Sequence, residues 1–188
     1  MTDIYENCPT LENDRWLLRL VEEGDAEDLL SVYSDKMALP FFNSDNCHGD
    51  IFYYPTAERM ARAVKFWIDS YAWRYFVRFT IIDKRTGRAI GTIEMFNRSG
   101  SDATGGAGVL RLDVGSAWER ADVLSELLGL VIGPFFAWFR VDEILIKGPV
   151  YAVERALALE ERGFARTDQP LIGEGGRAYG GYWTIRLN

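Results

Sequence analysis

Val109-Leu110-Arg111-Leu112-Asp113-Val114-Gly115-Ser116-Ala117-Trp118-Glu119-Arg120-Ala121-Asp122-Val123-Leu124 is the stretch on which the fold turns. Its first six residues read as a strand, aliphatic except for Arg111 and Asp113. Gly115 and Ser116 break the strand. A helix is expected from about Arg120 to Phe139, kinked at Gly133-Pro134 because proline removes an intrahelical bond and clashes with the preceding turn. Asp142 to Lys147 then reads as a short apolar strand, which completes a strand–helix–strand crossover.

Upstream, Trp16 to Leu20 reads as a strand and Ala26 to Tyr33 as a helix, with Asp25 placed to cap it by accepting from the Asp28 N–H. Asp35 to Pro55 has the composition of a long ordered loop, or a short helix plus loop, of the kind that lines substrate sites. Pro55-Thr56 opens a second helix, in which Met60, Ala63, Val64, Trp67, Ile68 and Tyr71 share an apolar face. Tyr75 to Asp83 and Ala89 to Phe96 read as an antiparallel hairpin around the polar turn Lys84 to Arg88, and the Gly/Ser-rich 97–108 segment as a mobile loop. Downstream, Val150 to Arg162 reads as a helix ended by Gly163, and Ala178 to Leu187 as a closing strand. This order implies an α/β (α+β) chain: a mixed, mostly antiparallel sheet of about six or seven strands with helices on both faces. With no internal repeat or linker, residues 1–188 are expected to form one domain.

Of 188 residues, 48% are hydrophobic and 26% charged, which excludes disordered and fibrous classes. The charge, 21 − 28 = −7, opposes any phosphate-tracking surface, so neither nucleic acid nor an anionic membrane is an expected partner. The longest apolar stretch, Leu127 to Phe139, is interrupted by glycine and proline and is shorter than a bilayer span. Two cysteines and an acidic start point to a cytoplasmic protein. Six tryptophans leave room for a homodimer.

Four segments together carry a resemblance: Arg15 to Leu20 with Gly24 to Leu30, Ile90-Gly91-Thr92-Ile93-Glu94, Leu110 through Leu128, and Leu159-Glu160-Glu161-Arg162-Gly163-Phe164. In order and spacing the chain resembles the GCN5-related N-acetyltransferases, and among them the branch that modifies ribosomal-protein N-termini. The resemblance implies acetyl-CoA as co-substrate, held in a gap where the fourth strand splays from the fifth. The pyrophosphate would lie on N–H groups at the start of the following helix. On this chain that surface maps to Val114, Gly115, Ser116, Arg120, Ala121, Asp122, Val123 and Leu124. The family places Arg or Gln, Gly, and Gly or Ala where this chain has Glu119, Asp122 and Leu124, so two carboxylates stand beside the expected diphosphate. The Asn and Tyr that many members carry on the last long helix are replaced by Ala152 and Leu159, which leaves Tyr151 or Tyr182 to protonate the leaving thiolate.

Direct acetyl transfer needs a proton acceptor, an oxyanion donor and an acid. Glu94 and Asp113 are carboxylates in apolar strands, each a base candidate with a raised pKa; alternatively, strand alternation turns them to solvent or to Arg111 and Arg78 across the sheet. The Val114 N–H is the expected oxyanion donor. Cys47 and His48 are adjacent and do not face each other as a nucleophile pair, and with Cys8 they lack zinc-ligand spacing, so no metal is expected. Gly173 to Gly181 reads as a flexible loop. Two readings stand: an acetyl-CoA-dependent N-acetyltransferase acting on an amine of a small molecule or protein by direct transfer, or a catalytically inactive binding or scaffold protein of the same fold that no longer takes acetyl-CoA.

Overall fold

The structure, a computed structural model, describes residues 3–98 and 106–187. Most of the segment expected as a mobile loop, residues 99–105, lies outside them. Four helices are described: α1 (Ala26–Tyr33), α2 (Ala57–Ala72), α3 (Ala121–Phe139) and α4 (Val153–Glu161). The strands are β1 (Leu11–Glu12), β2 (Trp16–Leu20), β3 (Val77–Asp83), β4 (Arg88–Asn97), β5 (Ala107–Val114), β6 (Glu143–Lys147), β7 (Ala165–Arg166), β8 (Leu171–Ile172), β9 (Ala178–Tyr179) and β10 (Tyr182–Arg186). Eight of them form one sheet in the order β1-β2-β3-β4-β5-β6-β10-β7, while β8 and β9 make a separate ribbon. Every pairing is antiparallel except β5 with β6, the two strands that α3 connects. The sheet is thus one strand wider than the sequence implied, through the two-residue strands β1 and β7 at its edges.

Alternation along the central strands decides which helices cover which face. Phe79, Ile81, Ile93, Leu112 and Val114 point to one side, where they pack with Leu124, Leu127, Val131 and Phe135 of α3 and Leu159 of α4. On the other side Leu29, Val32 and Tyr33 of α1 meet Met60, Val64 and Trp67 of α2. Thr56 caps α2 by accepting from the Arg59 N–H at 3.3 Å. α3 continues through Pro134, which lies inside the helix. It starts earlier than the apolar stretch seen in sequence, and its 19 residues are long and apolar enough to cross a membrane by length and composition. Its apolar side chains include the partners of the sheet just named, so the core accounts for much of that hydropathy.

Three boundaries differ from expectation. Asp25 does not cap α1: its carboxylate accepts from Arg19 Nη2 at 2.7 Å, Thr80 Oγ1 at 2.6 Å and the Glu22 N–H at 2.9 Å, a buried anchor between β2, β3 and the turn before the helix. The last helix begins at Val153 because Pro149 to Ala152 form a turn closed by an Ala152 N–H bond to the Pro149 carbonyl. The expected closing strand is interrupted at Gly180-Gly181, where Gly181 takes φ +81°, a conformation that other residues rarely adopt.

Gly91 of β4 lies directly opposite Val114, at the end of β5. A Cβ there would stand 2.2 Å from the Asp113 carbonyl oxygen and 2.8 Å from the Val114 Cα, both backbone atoms that cannot swing aside. Gly91→Ala is expected to lower stability by about 1–3 kcal/mol through overpacking, read as a fall in the urea midpoint.

Candidate active site

Three charged residues sit side by side beneath α2. The register sets Arg78 of β3 opposite Glu94 of β4, and Glu94 opposite Arg111 of β5. Arg78 Nε donates to Glu94 Oε2 at 3.1 Å, Arg78 Nη2 pairs with the same oxygen, and Arg111 Nη1 pairs with Oε1. Glu94 and Arg78 are each 1% exposed, and Arg111 is 9% exposed. Burial pushes the Glu94 carboxyl toward the neutral form, but the two guanidiniums outweigh it and hold its pKa below the usual carboxylate range. The expected raised pKa at Glu94 is therefore reversed, and the cross-strand alternative holds.

Asp113 behaves oppositely. It is completely buried, and burial raises its carboxyl to about 6 against the pull of Arg78 and Arg155. Its Oδ2 accepts from the Tyr33 hydroxyl at 3.2 Å and stands 3.7 Å from Arg78 Nη1, and its Oδ1 lies 3.4 Å from the Asn43 N–H. Tyr33 and Thr92 share a hydroxyl–hydroxyl bond of 2.7 Å, and both accept from Arg78 Nη1. The cluster is continuous from Arg111 to Tyr33.

Next to it the sheet opens. β5 pairs with β6 only from Ala107 to Leu110, opposite Glu143 to Ile146, and then the two strands part. The Gly115 N–H donates to the Ile90 carbonyl of β4. By alternation, the Val114 N–H therefore points away from β4 into the gap, as an oxyanion donor would require. The segment after α1 crosses this gap. Asp45 pairs with Lys147 at the end of β6, its carbonyl accepts from Arg111 Nη2 at 2.8 Å, and its carboxylate accepts from the Tyr182 hydroxyl at 3.1 Å. Tyr151 is exposed, and its hydroxyl donates to the Pro40 carbonyl at 2.7 Å, which ties the lead-in of α4 to the same segment.

At the mouth of the gap, the donors expected to meet a diphosphate hold side chains of the protein itself. Asp35 Oδ2 accepts from the Ser116 N–H at 2.9 Å, and Glu154 Oε2 accepts from the Ala121 N–H at 2.8 Å. Arg120 occupies the N-cap position of α3, and its guanidinium chelates Asp122 at 2.9 and 3.1 Å. Glu119 does not point at this opening: it is buried in a two-bonded pair with Arg155, both contacts 2.7 Å. Val123 and Leu124 face the core.

The fold as a whole is shared with solved structures. An acetyltransferase of the GNAT family from Bacillus anthracis aligns over 95% of this chain and 98% of its own, with a TM-score of 0.70 and 15% identity. A ribosomal-protein-S5-alanine acetyltransferase from Vibrio fischeri aligns over 95% of this chain and 96% of its own, with a TM-score of 0.70 and 15% identity. A ribosomal L7/L12 alpha-N-protein acetyltransferase in complex with coenzyme A aligns over 95% and 98%, with a TM-score of 0.69 and 11% identity. This chain has the fold of the GCN5-related N-acetyltransferases. Neither a protein-family model nor a curated protein sequence matches it.

Within the acetyltransferase fold, the expected cofactor residues Val114 to Leu124 form one continuous turn from strand end to helix start, and Asp113 stands beside it on the α1 and α2 side. Tyr151 lies at the outer end of the gap, and Glu94 two residues' length from Asp113 across the pairing. Tyr33, Arg155, Asp35 and Glu154 escaped the sequence reading. All four act on partners at least 33 positions away in the chain, and local pattern carries no trace of such contacts.

Glu94→Gln leaves two buried guanidiniums without their shared counter-charge. It is expected to destabilise the fold by about 3–5 kcal/mol in chemical denaturation. Because the folded-state pKa of Glu94 is depressed, its stabilisation is present above the ordinary carboxylate range and is lost as pH falls through the folded value. The gap between wild type and variant should therefore narrow toward acid pH.

Proposed function

We propose that the protein is a single-domain, acetyl-CoA-dependent N-acetyltransferase acting on an amine of a small molecule or peptide. One observation supports this most: the gap between β5 and β6 is retained, with the Val114 N–H aimed into it and a buried carboxylate of raised pKa beside it. The coenzyme A complex of a neighbour with the same fold supports the donor, and the ribosomal-protein acetyltransferases among the neighbours support an amine acceptor.

The fit to acetyl-CoA divides in two. The thioester end meets the Val114 N–H, which points away from β4, whereas the diphosphate end meets N–H groups already bonded to Asp35 and Glu154. Glu154 and Asp122 are exposed, so their carboxylates can turn to water when a diphosphate takes their place. Arg120 would then be free to face the phosphates.

In the transfer itself Asp113, acting through water, takes a proton from the acceptor ammonium. The Val114 N–H holds the oxygen of the thioester carbonyl as the amine nitrogen bonds to its carbon. The carbon–sulfur bond breaks, and the sulfur leaves as thiolate. Tyr151 at the outer end of the gap is the candidate donor of the proton that the thiolate takes up, and the second proton lost by the acylated nitrogen passes through water to restore the Tyr151 hydroxyl. Asp113 must be ionised to act, so activity is expected to rise with pH through about 6. Asp113→Asn should lower kcat at least a hundredfold while acetyl-CoA still binds, and remove that acid limb from the pH profile.

The occupied N–H groups favour a second reading, a scaffold of this fold without cofactor. Calorimetric titration with acetyl-CoA separates the two. Removing a charge at the diphosphate site should tighten binding by about tenfold in Glu154→Ala. No binding at millimolar acetyl-CoA, in either wild type or Glu154→Ala, would overturn the enzyme reading.

A further inference from the structure

A second buried ion pair stands apart from the Arg78–Glu94–Arg111 row. Arg155, in the first turn of α4, donates from Nε to Glu119 Oε1 and from Nη2 to Glu119 Oε2, both at 2.7 Å, and both residues are buried. Taking two ions out of water is expensive, and apolar residues of similar volume commonly hold a core together as well or better. Stability alone gives the pair little reason to exist, so its place in the fold is the better guide.

That place spans the gap. Glu119 belongs to the turn that carries the chain from Val114, at the end of β5, into α3. α4 follows β6, the strand that parts from β5. Two further bonds lie along the same seam: the Ala121 N–H donates to Glu154 Oε2 at 2.8 Å, and Arg162 Nε donates to Ser125 Oγ at 2.8 Å. The first of these is exposed and the second half-buried, which leaves Arg155–Glu119 as the buried, two-bonded contact that fixes the turn behind the Val114 N–H against α4.

Arg155 also brings a charge to Asp113. The other groups that face this carboxylate are Arg78 of β3, Glu94 of β4, Arg111 of its own strand, the Tyr33 hydroxyl of α1 and the Asn43 N–H of the segment that crosses the gap. Burial raises the Asp113 carboxyl to about 6, against a downward pull to which Arg78 contributes most and Arg155 next. The influence is mutual: burial opposes the Arg155 charge, and Glu119, then Asp113, restore it. Arg78 is already committed to Glu94, so Arg155 is the cation that α4 adds on behalf of Asp113.

We infer that Arg155 is a positioning residue of the transfer: clasped by Glu119, it ties α4 to the turn behind the Val114 N–H and keeps a positive charge near Asp113. That charge holds the carboxylate ready to accept a proton. Arg155 is buried and acts through Asp113, not on the reactants. The inference rests on the acetyltransferase reading for its place in a reaction, while the link to Asp113 can be measured without any substrate.

NMR titration of the side-chain carboxyl carbons of carbon-13-labelled aspartate, with the Asp113 signal assigned from Asp113→Asn, measures that link. In Glu119→Leu/Arg155→Met two apolar side chains replace the pair, so circular dichroism and melting temperature should show a folded protein. The Asp113 midpoint is expected to rise there by about one pH unit. Glu119→Gln keeps the Arg155 charge and one acceptor for it, and its midpoint should stay at or below the wild-type value. A merely structural role would move both variants alike. An unmoved midpoint in the double variant, or a rise in both variants, would overturn the inference. The acid limb of kcat for amine acetylation should move upward together with the midpoint. A risen midpoint with no acetylation of any amine supports the link from Arg155 to Asp113 and counts against the acetyltransferase. Acetylation whose acid limb stays in place in the double variant leaves the acetyltransferase standing and overturns the role of Arg155.

Discussion

Glu94 is the one anion between two buried guanidiniums, and the middle of the sheet is organised around that arrangement. Taking ions out of water is expensive, and the attraction among them repays it only when the geometry is close and the remaining donors are met. Here β3, β4 and β5 meet that condition by register, because the three side chains lie opposite one another across neighbouring strands. The rest follows outward. Arg78 also reaches Tyr33 and Thr92, Tyr33 reaches Asp113, and Arg111 reaches the segment that crosses the gap. Two cations face two carboxylates in this cluster, and the second carboxylate, Asp113, titrates near 6, so the balance of the buried charge itself depends on pH.

The gap between β5 and β6 has a different physical basis. Parallel pairing stops after Leu110, and the edge that β5 then exposes would normally be a liability. It is bridged by side chains and by Asp45 instead of by a strand, which leaves at least the Val114 N–H turned toward the opening. The start of α3 follows the same rules that make helix starts attract anions. Asp35 and Glu154 satisfy those rules within the chain, so any external phosphate has to compete with carboxylates that are already in place. That competition separates this chain from a plain phosphate cradle, and it is a matter of side-chain exchange at an exposed helix end, not of fold.

Most of the architecture was legible from local pattern. The apolar spacing of α2, the hairpin of β3 and β4, and the passage from β5 through a small-residue turn into α3 are all signals carried by neighbouring residues. What escaped was either short or distant. β1 and β7 have two residues each and exist only because a neighbouring strand offers them an edge. Asp25 looked like a helix cap because its position in sequence matches one, but Arg19 and Thr80 provide stronger partners for a carboxylate that the fold buries.

The sequence by itself determined that Arg111 and Asp113 fall on one face of β5, since side chains alternate with a period of two whatever surrounds them, while the register that sets Arg78 and Glu94 beside them came from the structure. The sequence equally determined that a helix starts just beyond Val114. Only the tertiary structure decided that this polar face is roofed by α1, α2 and the segment between them. Burial there raises both carboxyls, and the partners decide the direction: two guanidiniums in close contact pull Glu94 below the ordinary range, whereas Asp113 loses water without gaining an equal partner and stays raised.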